Sequence, residues 1–166
     1  MIRTAIITVS DSGYARKRKD ESGPAIRKIL EATDFAVTEE ILLPDEREQL
    51  SSCMKRIADT GAADLILTTG GTGFSPRDIT PEATIDICER LVPGIPESMR
   101  YCSLQITNRA MLSRSAAGIR KQTLIVNLPG SPKAVRECLE FILEPLAHGI
   151  DILTDKAHNC AAADVS

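Results

Sequence analysis

Short apolar runs alternate along this chain with segments in which apolar residues recur every three or four positions. Three of the runs, Thr4–Val9, Asp64–Thr69 and Thr123–Leu128, are rich in apolar and β-branched residues and do not alternate with polar ones. That composition is typical of strands buried on both faces, as in parallel sheets. A fourth strand is predicted at Phe35–Leu42.

Helical periodicity fills the gaps between these strands. The predicted helices run from about Gly23 to Thr33, from about Glu46 to Thr60 with Gly61 as cap, onward from Pro81, and from Ser131 through Leu146. Pro145 should kink or divide the last one. Strands alternating with helices predict a three-layer α/β/α sandwich with a mostly parallel central sheet. No linker or internal repeat interrupts it, so residues 1–155 are expected to form a single domain.

The last eleven residues, 156–166, are alanine-rich and lose the apolar periodicity. Ordering backbone costs about 1 to 2 kcal/mol per residue, and this segment has little to bury in return. We expect a flexible tail that is dispensable for catalysis, with Cys160 exposed to thiol reagents. The alternative is a tail that docks on a neighbouring subunit.

Composition restricts the class of partner. With 166 residues and 43% hydrophobic content, one domain can bury a sizeable core. A formal net charge of −3 gives no basic surface for a phosphate backbone, and an aromatic content of 3% leaves few side chains on which bases could stack. Nucleic acid is therefore not an expected partner. No apolar run reaches the roughly 18 residues of a membrane span, and no signal-peptide segment follows Met1, so a cytoplasmic protein without a membrane partner is expected.

The cysteines and histidines give no nucleophile or zinc site. Five cysteines without a Cys-x-x-Cys pair argue against zinc and against a disulfide framework. Cys53, Cys88 and Cys138 fall in amphipathic segments and are interpreted as packing residues. His148 and His158 lie far along the chain from the glycine loops, so a His-activated nucleophile has no support.

The stretch Thr68–Thr84 joins an apolar strand to a helix through a glycine-rich loop. Gly70, Gly71 and Gly73 permit positive φ and let backbone N–H groups turn toward phosphate oxygens, and Thr72 adds a hydroxyl. Thr80-Pro81-Glu82 is a helix-start signal with Thr80 placed to cap. The alternative is a tight turn whose glycines only satisfy geometry. The loop lacks the Gly-Lys-Ser/Thr of a Walker motif, and Pro76 replaces the third glycine of a Rossmann fingerprint.

Several loops should meet at one edge of the sheet, because ligands of open α/β sheets bind outside the carboxyl ends of the strands. Ser10-Asp11-Ser12 follows the first strand, Gly70–Asp78 the third, and Pro129–Lys133 the last. Asp45 stands just before a helix, where it is equally well interpreted as a helix cap. Together, Asp45 and Asp78 are candidate ligands for Mg2+ beside bound phosphates.

These motifs, with Leu43-Pro44-Asp45-Glu46, Met111–Gly118 and Asn127–Lys133, resemble the MogA/MoaB molybdopterin-binding proteins of molybdenum-cofactor biosynthesis, including the G domains of plant and animal fusion proteins. The resemblance covers nearly the whole chain apart from 156–166. The pair Arg77-Asp78 followed by Thr80–Thr84 looks like the adenylyltransferase branch and not the MoaB-like branch. The resemblance implies that the terminal phosphate of molybdopterin attacks the α-phosphate of ATP, with Mg2+ bound at Asp45 and Asp78.

The same resemblance implies the binding residues. The pterin side would include Ser113, with Arg114 or Arg120 available for its phosphate, although Arg77, Arg114 and Arg120 are equally well interpreted as solvated surface. The substrate and nucleotide positions as a whole are Ser10, Asp11, Ser12, Gly70, Gly71, Thr72, Gly73, Ser113, Arg114, Asn127, Pro129, Gly130, Ser131 and Lys133.

Family membership further implies a homotrimer and transfer of the product to a molybdenum-insertion protein. Two alternatives remain. One is a molybdopterin-binding or carrier protein without turnover, for which two metal carboxylates would be unnecessary. The other is a structural scaffold, for which this chain lacks the additional domains of the animal relatives.

Overall fold

The computed structural model describes residues 1–155, so the predicted tail, including His158 and Cys160, lies outside the described part of the chain. Six strands form one sheet in the order β2-β1-β3-β6-β5-β4. The pairs β1/β2, β1/β3 and β3/β6 are parallel, and β5 and β4 add an antiparallel edge. The strands are β1 Ile2–Val9, β2 Phe35–Leu43, β3 Leu65–Thr69, β4 Arg90–Leu91, β5 Ala117–Arg120 and β6 Thr123–Leu128.

Helices cover both faces of this sheet. They are α1 Asp11–Tyr14, α2 Ser22–Leu30, α3 Arg47–Asp59, α4 Thr80–Ile85, α5 Gly94–Leu104 and α6 Pro132–Leu153, with a 3-10 helix at Asn108–Leu112. Adjacent strand residues point to opposite faces, so Ile6 belongs to the core under α2, α5 and α6, whereas Ile7 belongs to the core under α3 and α4. The predicted three-layer α/β/α sandwich with a mostly parallel sheet is confirmed.

Of the two outcomes predicted at Pro145, division of the last helix is wrong, because α6 runs unbroken through Pro145; a kink there stays a prediction. Its buried face continues on both sides of the proline, with Ile142 before it and Leu146 and Ile150 after it. Burying that continuous apolar stripe against the sheet outweighs the one backbone hydrogen bond that proline removes.

The predicted cap at Thr80 is also wrong. Helix α4 begins at Thr80 itself, with Ile79 in the capping position and no side-chain cap. The main-chain N–H of Thr80 donates instead to the carbonyl of Gly71, at 3.1 Å. The glycine loop is therefore fastened to the start of α4 through the main chain.

Parallel register brings the loop-bearing ends together. Thr8 pairs with Thr69, and Thr69 pairs with Leu128, so β1, β3 and β6 end side by side. Val9 likewise pairs with Leu43 at the end of β2. Four loops thus leave one edge of the sheet, as predicted. Among the helices within 1–155, none combines the length and apolar character needed to cross a bilayer.

Candidate active site

A cleft of about 240 Å³ lies outside the carboxyl ends of β1, β3 and β6. Main chain from the glycine loops and two carboxylates from different loops meet there. Its lining includes Ser10, Asp45, Gly70, Gly71, Asp78 and Gly130. The convergence that the sequence predicted from separate segments is therefore present for these six residues.

Close backbone approach explains two of the glycines. Gly70 has φ +97°, and a Cβ there would lie 2.2 Å from the carbonyl oxygen of Val9. Gly71 has φ +64°, and a Cβ there would lie 2.4 Å from Thr80 Oγ1. Gly73 does not adopt a positive φ, contrary to prediction; a Cβ on it would instead approach Asp78 Oδ2 at 2.9 Å. A side chain at Gly70 or Gly71 would displace the loop, whereas one at Gly73 would meet only the Asp78 carboxylate.

Asp45 and Asp11 are joined by two hydrogen bonds. The Asp11 N–H donates to Asp45 Oδ2 at 2.8 Å, and the Asp45 N–H donates to Asp11 Oδ1 at 3.0 Å. Helix α3 begins at Arg47 with Glu46 in the capping position and without a side-chain cap. The alternative that Asp45 caps this helix is therefore excluded. Its Oδ1 accepts no hydrogen bond from residues 1–155.

The pKa values of the Asp45 and Asp11 carboxylates are shifted in opposite directions. Burial raises the pKa of Asp45, and the neighbouring charges of Asp11 and Asp78 raise it further, against the lowering effect of the Asp11 N–H. The Arg77 guanidinium lowers the pKa of Asp11 by binding both its oxygens, at 2.9 and 3.1 Å. Arg77 also donates to Glu46, at 2.7 Å. Asp45 thus forms no ion pair with any residue of 1–155, and the more distant charge of Arg77 lowers its pKa by less than burial raises it.

Asp78 reaches the cleft from the other end of the glycine loop. Its Oδ2 accepts from the N–H of Ser75 at 2.9 Å, which closes a tight turn. Arg114 supports this turn from behind, because its guanidinium donates to the carbonyls of Gly73 at 2.6 Å and Asp78 at 2.7 Å and pairs with Glu82. The Arg114 side chain therefore stabilises the conformation of the glycine loop.

A hydroxyl without a partner lies beside the cleft. Thr80 Oγ1 is buried and has no hydrogen-bond partner within residues 1–155. A Cβ on Gly71 would lie 2.4 Å from that oxygen and 3.1 Å from Asp45 Oδ1, so the two oxygens flank the same glycine. Buried polar atoms are nearly always paired, and an unpaired one next to a carboxylate is consistent with a ligand or ion bound there.

The glycine loop also separates the cleft from a second pocket. Gly70 and Gly71 line the first, whereas Thr72 and Gly73 line the second, a pocket of about 290 Å³. The β6 loop divides in the same way, with Pro129 in the second pocket and Gly130 in the first. The wall between them is narrow, because adjacent residues line different pockets in both loops, Gly71 and Thr72 in one and Gly130 and Pro129 in the other.

The second pocket is mostly apolar and carries cations at its edge. Ser113 lines it, with Oγ donating to Ser115 at 3.0 Å. Arg100 donates to the carbonyls of Ser113 and Ser115, at 3.3 and 3.2 Å. The Arg109 side chain is exposed and forms no ion pair with any residue of 1–155. An apolar ring system with a phosphate would find both kinds of contact here.

Some predicted site residues have structural contacts instead. Asn127 is fully buried, donating to Thr68 Oγ1 at 2.9 Å and Thr84 Oγ1 at 2.8 Å and accepting from the N–H of Ala116 at 3.2 Å. Arg120 pairs with Asp59 beside the start of β6, at the edge of the sheet opposite the cleft, so a role in phosphate binding at the pterin side is wrong.

The remaining predicted residues lie around the cleft without lining it. Ser12 shares a hydrogen bond with Ser10 at 3.2 Å. Ser131 caps α6 by accepting from the N–H of Ala134, as predicted, and Lys133 is exposed and lies 3.8 Å from Glu137. Asp11 acts on the cleft through Asp45.

Sequence reasoning missed the loop before α2. Arg18, Lys19 and Asp20 line the cleft, and Asp20 Oδ2 accepts from Thr8 Oγ1 at 2.7 Å. The run of four basic residues from Arg16 was the available signal. The packing role predicted for the cysteines agrees with the structure, since burial raises the pKa of Cys53, Cys88 and Cys138, that of Cys88 to about 11.

Fold and site together define an α/β protein with a cleft at the carboxyl ends of its parallel strands, lined by glycine main chain and by carboxylates. Residues 5–149 match the family described as "Probable molybdopterin binding domain", and the chain belongs to that family. It is 39% identical over 154 residues to a molybdopterin adenylyltransferase of Helicobacter pylori, covering 92% of this chain and 88% of the relative. It is 38% identical to the molybdopterin adenylyltransferase of Escherichia coli K12, covering 90% and 80%.

A solved structure of the molybdopterin biosynthesis enzyme MoaB from Thermus thermophilus superposes with a TM-score of 0.89, at 47% identity, covering 93% of this chain and 98% of that one. A MogA structure superposes with a TM-score of 0.86, at 32% identity, covering 91% and 99%. Similar proteins thus carry both the MoaB and the MogA name. The activity of this chain must therefore be inferred from the residues of its site.

Proposed function

We propose that this protein is a molybdopterin adenylyltransferase that acts in molybdenum-cofactor biosynthesis. Asp45 and Asp78 carry the proposal, because they enter one cleft from separate loops beside the main chain of Gly70 and Gly71. A protein that only stored the pterin would need a cradle for it but no pair of carboxylates next to a phosphate-binding loop. Relatives with 38–39% identity over most of the chain carry this activity in their names.

The reaction joins two phosphates. An oxygen of the terminal phosphate of molybdopterin forms a bond to the α-phosphorus of ATP, the bond from that phosphorus to the bridging oxygen breaks, and pyrophosphate leaves. No covalent protein nucleophile is required, so the protein contributes position and charge stabilisation. The N–H groups of the glycine loops are suited to phosphate oxygens, and Ser10 adds a hydroxyl at the cleft.

The carboxylates fit Mg2+. Within residues 1–155 no group of three acidic, His or Cys side chains could hold a metal, but Mg2+ commonly takes one or two carboxylates and completes its shell with phosphate oxygens and water. Asp45 and Asp78 would hold the ion, and the raised pKa of Asp45 marks a carboxylate that a cation would stabilise. When bound, the ion would neutralise phosphate charge in the cleft.

The two pockets suit the two substrates. The first is lined by main chain and carboxylates and suits Mg-ATP, whereas the second is mostly apolar with Arg100 and Arg109 and suits the pterin with its phosphate. Ser113 lies on the pterin side in this arrangement. Because Arg114 is engaged with the loop, Arg109 takes the phosphate-binding role that the resemblance gave to Arg114 or Arg120.

The test is to incubate purified protein with molybdopterin, ATP and Mg2+ and to measure pyrophosphate together with a pterin–AMP product. Product in the complete mixture, and none when pterin is omitted, is the expected result. Tight pterin binding without pyrophosphate would favour the non-catalytic carrier.

Self-association and handover of the product complete the proposal. We propose a homotrimer, as the resemblance implies, and self-association is supported by a group of exposed apolar side chains around the end of α5, namely Tyr101, Leu104, Ile106, Met111 and Leu112. Sedimentation measurements would test it. A molybdenum-insertion protein as recipient and a cytoplasmic location are further parts of the proposal, to be tested by product-transfer assays and cell fractionation.

A further inference from the structure

The loop between α1 and α2 brings positive charge to the nucleotide cleft. Arg18 and Lys19 are the only cationic residues among those of 1–155 that line it. Neither side chain forms an ion pair or a hydrogen bond with any described residue. Their neighbours Arg16 and Lys17 belong to the same basic run but do not line the cleft.

Hydrogen bonds hold this loop at the end of β1. The N–H groups of Lys17 and Arg18 donate to the carbonyl of Ser12, at 2.9 and 3.2 Å. On the other side, Asp20 accepts from Thr8 Oγ1 at 2.7 Å and from the N–H of Ser22 at 2.9 Å. The residues flanking the two cations are fastened to the sheet and to α2, so the cations are presented from an anchored backbone.

The charge balance of the cleft requires such cations. Four carboxylates line it, those of Asp20, Glu21, Asp45 and Asp78, and the glycine loops contribute main-chain N–H groups but no lysine of the Walker type. A bound triphosphate would add further negative charge. An Mg2+ ion at Asp45 and Asp78 would offset part of it, and Arg18 and Lys19 are the protein cations within the same cleft.

We propose that Arg18 and Lys19 bind the β- and γ-phosphates of ATP and then the pyrophosphate that leaves. This inference rests on the proposed adenylyl transfer. It assigns the basic loop to the leaving group, whereas the carboxylates serve the reacting α-phosphate. No proton transfer or covalent step by either residue is involved.

Calorimetric titration without pterin tests the proposal directly. The double variant Arg18→Gln/Lys19→Gln should bind Mg-ATP and inorganic pyrophosphate more weakly, by about tenfold for each lost cation. Its affinity for AMP, which lacks the β- and γ-phosphates, should equal that of the wild type. The matched control, Arg16→Gln/Lys17→Gln, removes the same charge from the same loop and should keep wild-type affinity for all three ligands.

Two further outcomes separate a site from a general electrostatic effect. The conservative variant Arg18→Lys/Lys19→Arg should restore most of the ATP affinity, because both charges remain. Equal losses in the test and control variants would overturn the proposal in favour of a diffuse field. An equal loss for AMP and ATP would also overturn it, since the effect would then not be directed at the terminal phosphates.

The outcome is distinguishable from failure of the proposed function. If wild-type protein makes pterin–AMP and binds ATP, yet the Arg18→Gln/Lys19→Gln variant binds ATP and pyrophosphate normally, only the role of the loop is wrong. If wild-type protein neither binds ATP nor releases pyrophosphate, adenylyl transfer itself is wrong, and the inference about the loop is refuted with it.

Discussion

Asp11 and Asp45 each donate a main-chain N–H to the other's carboxylate, at 2.8 and 3.0 Å. This exchange links the loop after β1 to the loop after β2. The Asp45 carboxylate therefore keeps its place by contact with main chain and not with a counter-cation. Arg77 balances the charge of Asp11 from outside, so Asp45 remains the member of the pair whose charge is available to a ligand.

Replacing Asp78 by Asn should reduce turnover without changing the shape of the loop. If about 3 kcal/mol of metal-assisted stabilisation is lost, the rate falls on the order of a hundredfold at saturating substrates. Steady-state measurement of pyrophosphate release checks this, with Asp34→Asn, an exposed carboxylate outside the cleft, as control. Pterin affinity should be unchanged, and a wild-type rate for Asp78→Asn would exclude a catalytic role for its charge.

Asp45→Asn should lower activity and raise stability. Because burial raises the pKa of Asp45 in the folded protein, folding disfavours its charged form, and wild-type stability falls as pH rises through that pKa. The Asn variant lacks this fall, so its gain should be present above the folded pKa and should vanish below the unfolded one. Urea unfolding at neutral and acidic pH checks the sign, and a gain confined to acid would contradict it.

Gly130→Val should weaken ATP binding first. A Cβ at Gly130 meets the Cα of Gly70 at 3.3 Å, so the larger side chain must push the two loops apart. Positive φ plays no part, since Gly130 does not adopt it. Gly149→Ala in α6 is the control: its Cβ meets nothing within 4 Å, and helix propensity predicts up to about 1 kcal/mol of added stability. Calorimetry showing normal ATP affinity for Gly130→Val would refute the assignment of this wall to the nucleotide.

Ser113→Ala should act on pterin binding and leave ATP binding unchanged. Loss of one hydroxyl contact costs about 1 kcal/mol, or about fivefold in affinity, and more where the partner stays buried. Titration of each substrate separately measures the division between the pockets. Ser52→Ala, at an exposed position of α3, provides the comparison. A variant that weakened ATP but spared pterin would show that the pockets are assigned the wrong way round.

Asn127→Ala should be a stability variant and not a binding variant. The substitution leaves the hydroxyls of Thr68 and Thr84 and the N–H of Ala116 in the core without their hydrogen-bond partner. The free energy of unfolding should fall by about 2 to 4 kcal/mol. Chemical denaturation measures this cost, and ATP affinity should persist at temperatures where the variant remains folded. Unchanged stability together with lost ATP binding would return Asn127 to the list of ligand contacts.

The parallel part of the fold followed from sequence because each of its central strands is an uninterrupted apolar run. The antiparallel strands β4 and β5 did not, and β4, Arg90–Leu91, is only 2 residues long with both residues exposed. Such a strand exists through pairing with Ala117–Arg120, which no local pattern records. The division of α6 at Pro145 was predicted wrongly for a related reason. The low helix propensity of proline is a local property, and burial of one helix face along α6 outweighs it.

The site was predictable where chemistry depends on residue type and less so where it depends on direction. Glycines and aspartates at strand ends indicated the cleft. The motif containing Asn127 and the one containing Arg114 indicated ligand binding, yet both side chains hold the protein together. Conversely, Arg18 has the sequence pattern of a solvated surface residue, and only the path of its loop brings it to the cleft.

The narrow wall between the two pockets, one residue step in each loop, has a consequence for the end of the proposed catalytic cycle. In the proposed arrangement each substrate fills one pocket and can leave independently, but the adenylylated pterin would be one molecule with a part in each. Its two halves hold one another at high effective concentration, so it departs more slowly than either substrate. Such a site would retain its product after pyrophosphate has gone, and this retention would favour the proposed handover to an acceptor over release into bulk solvent.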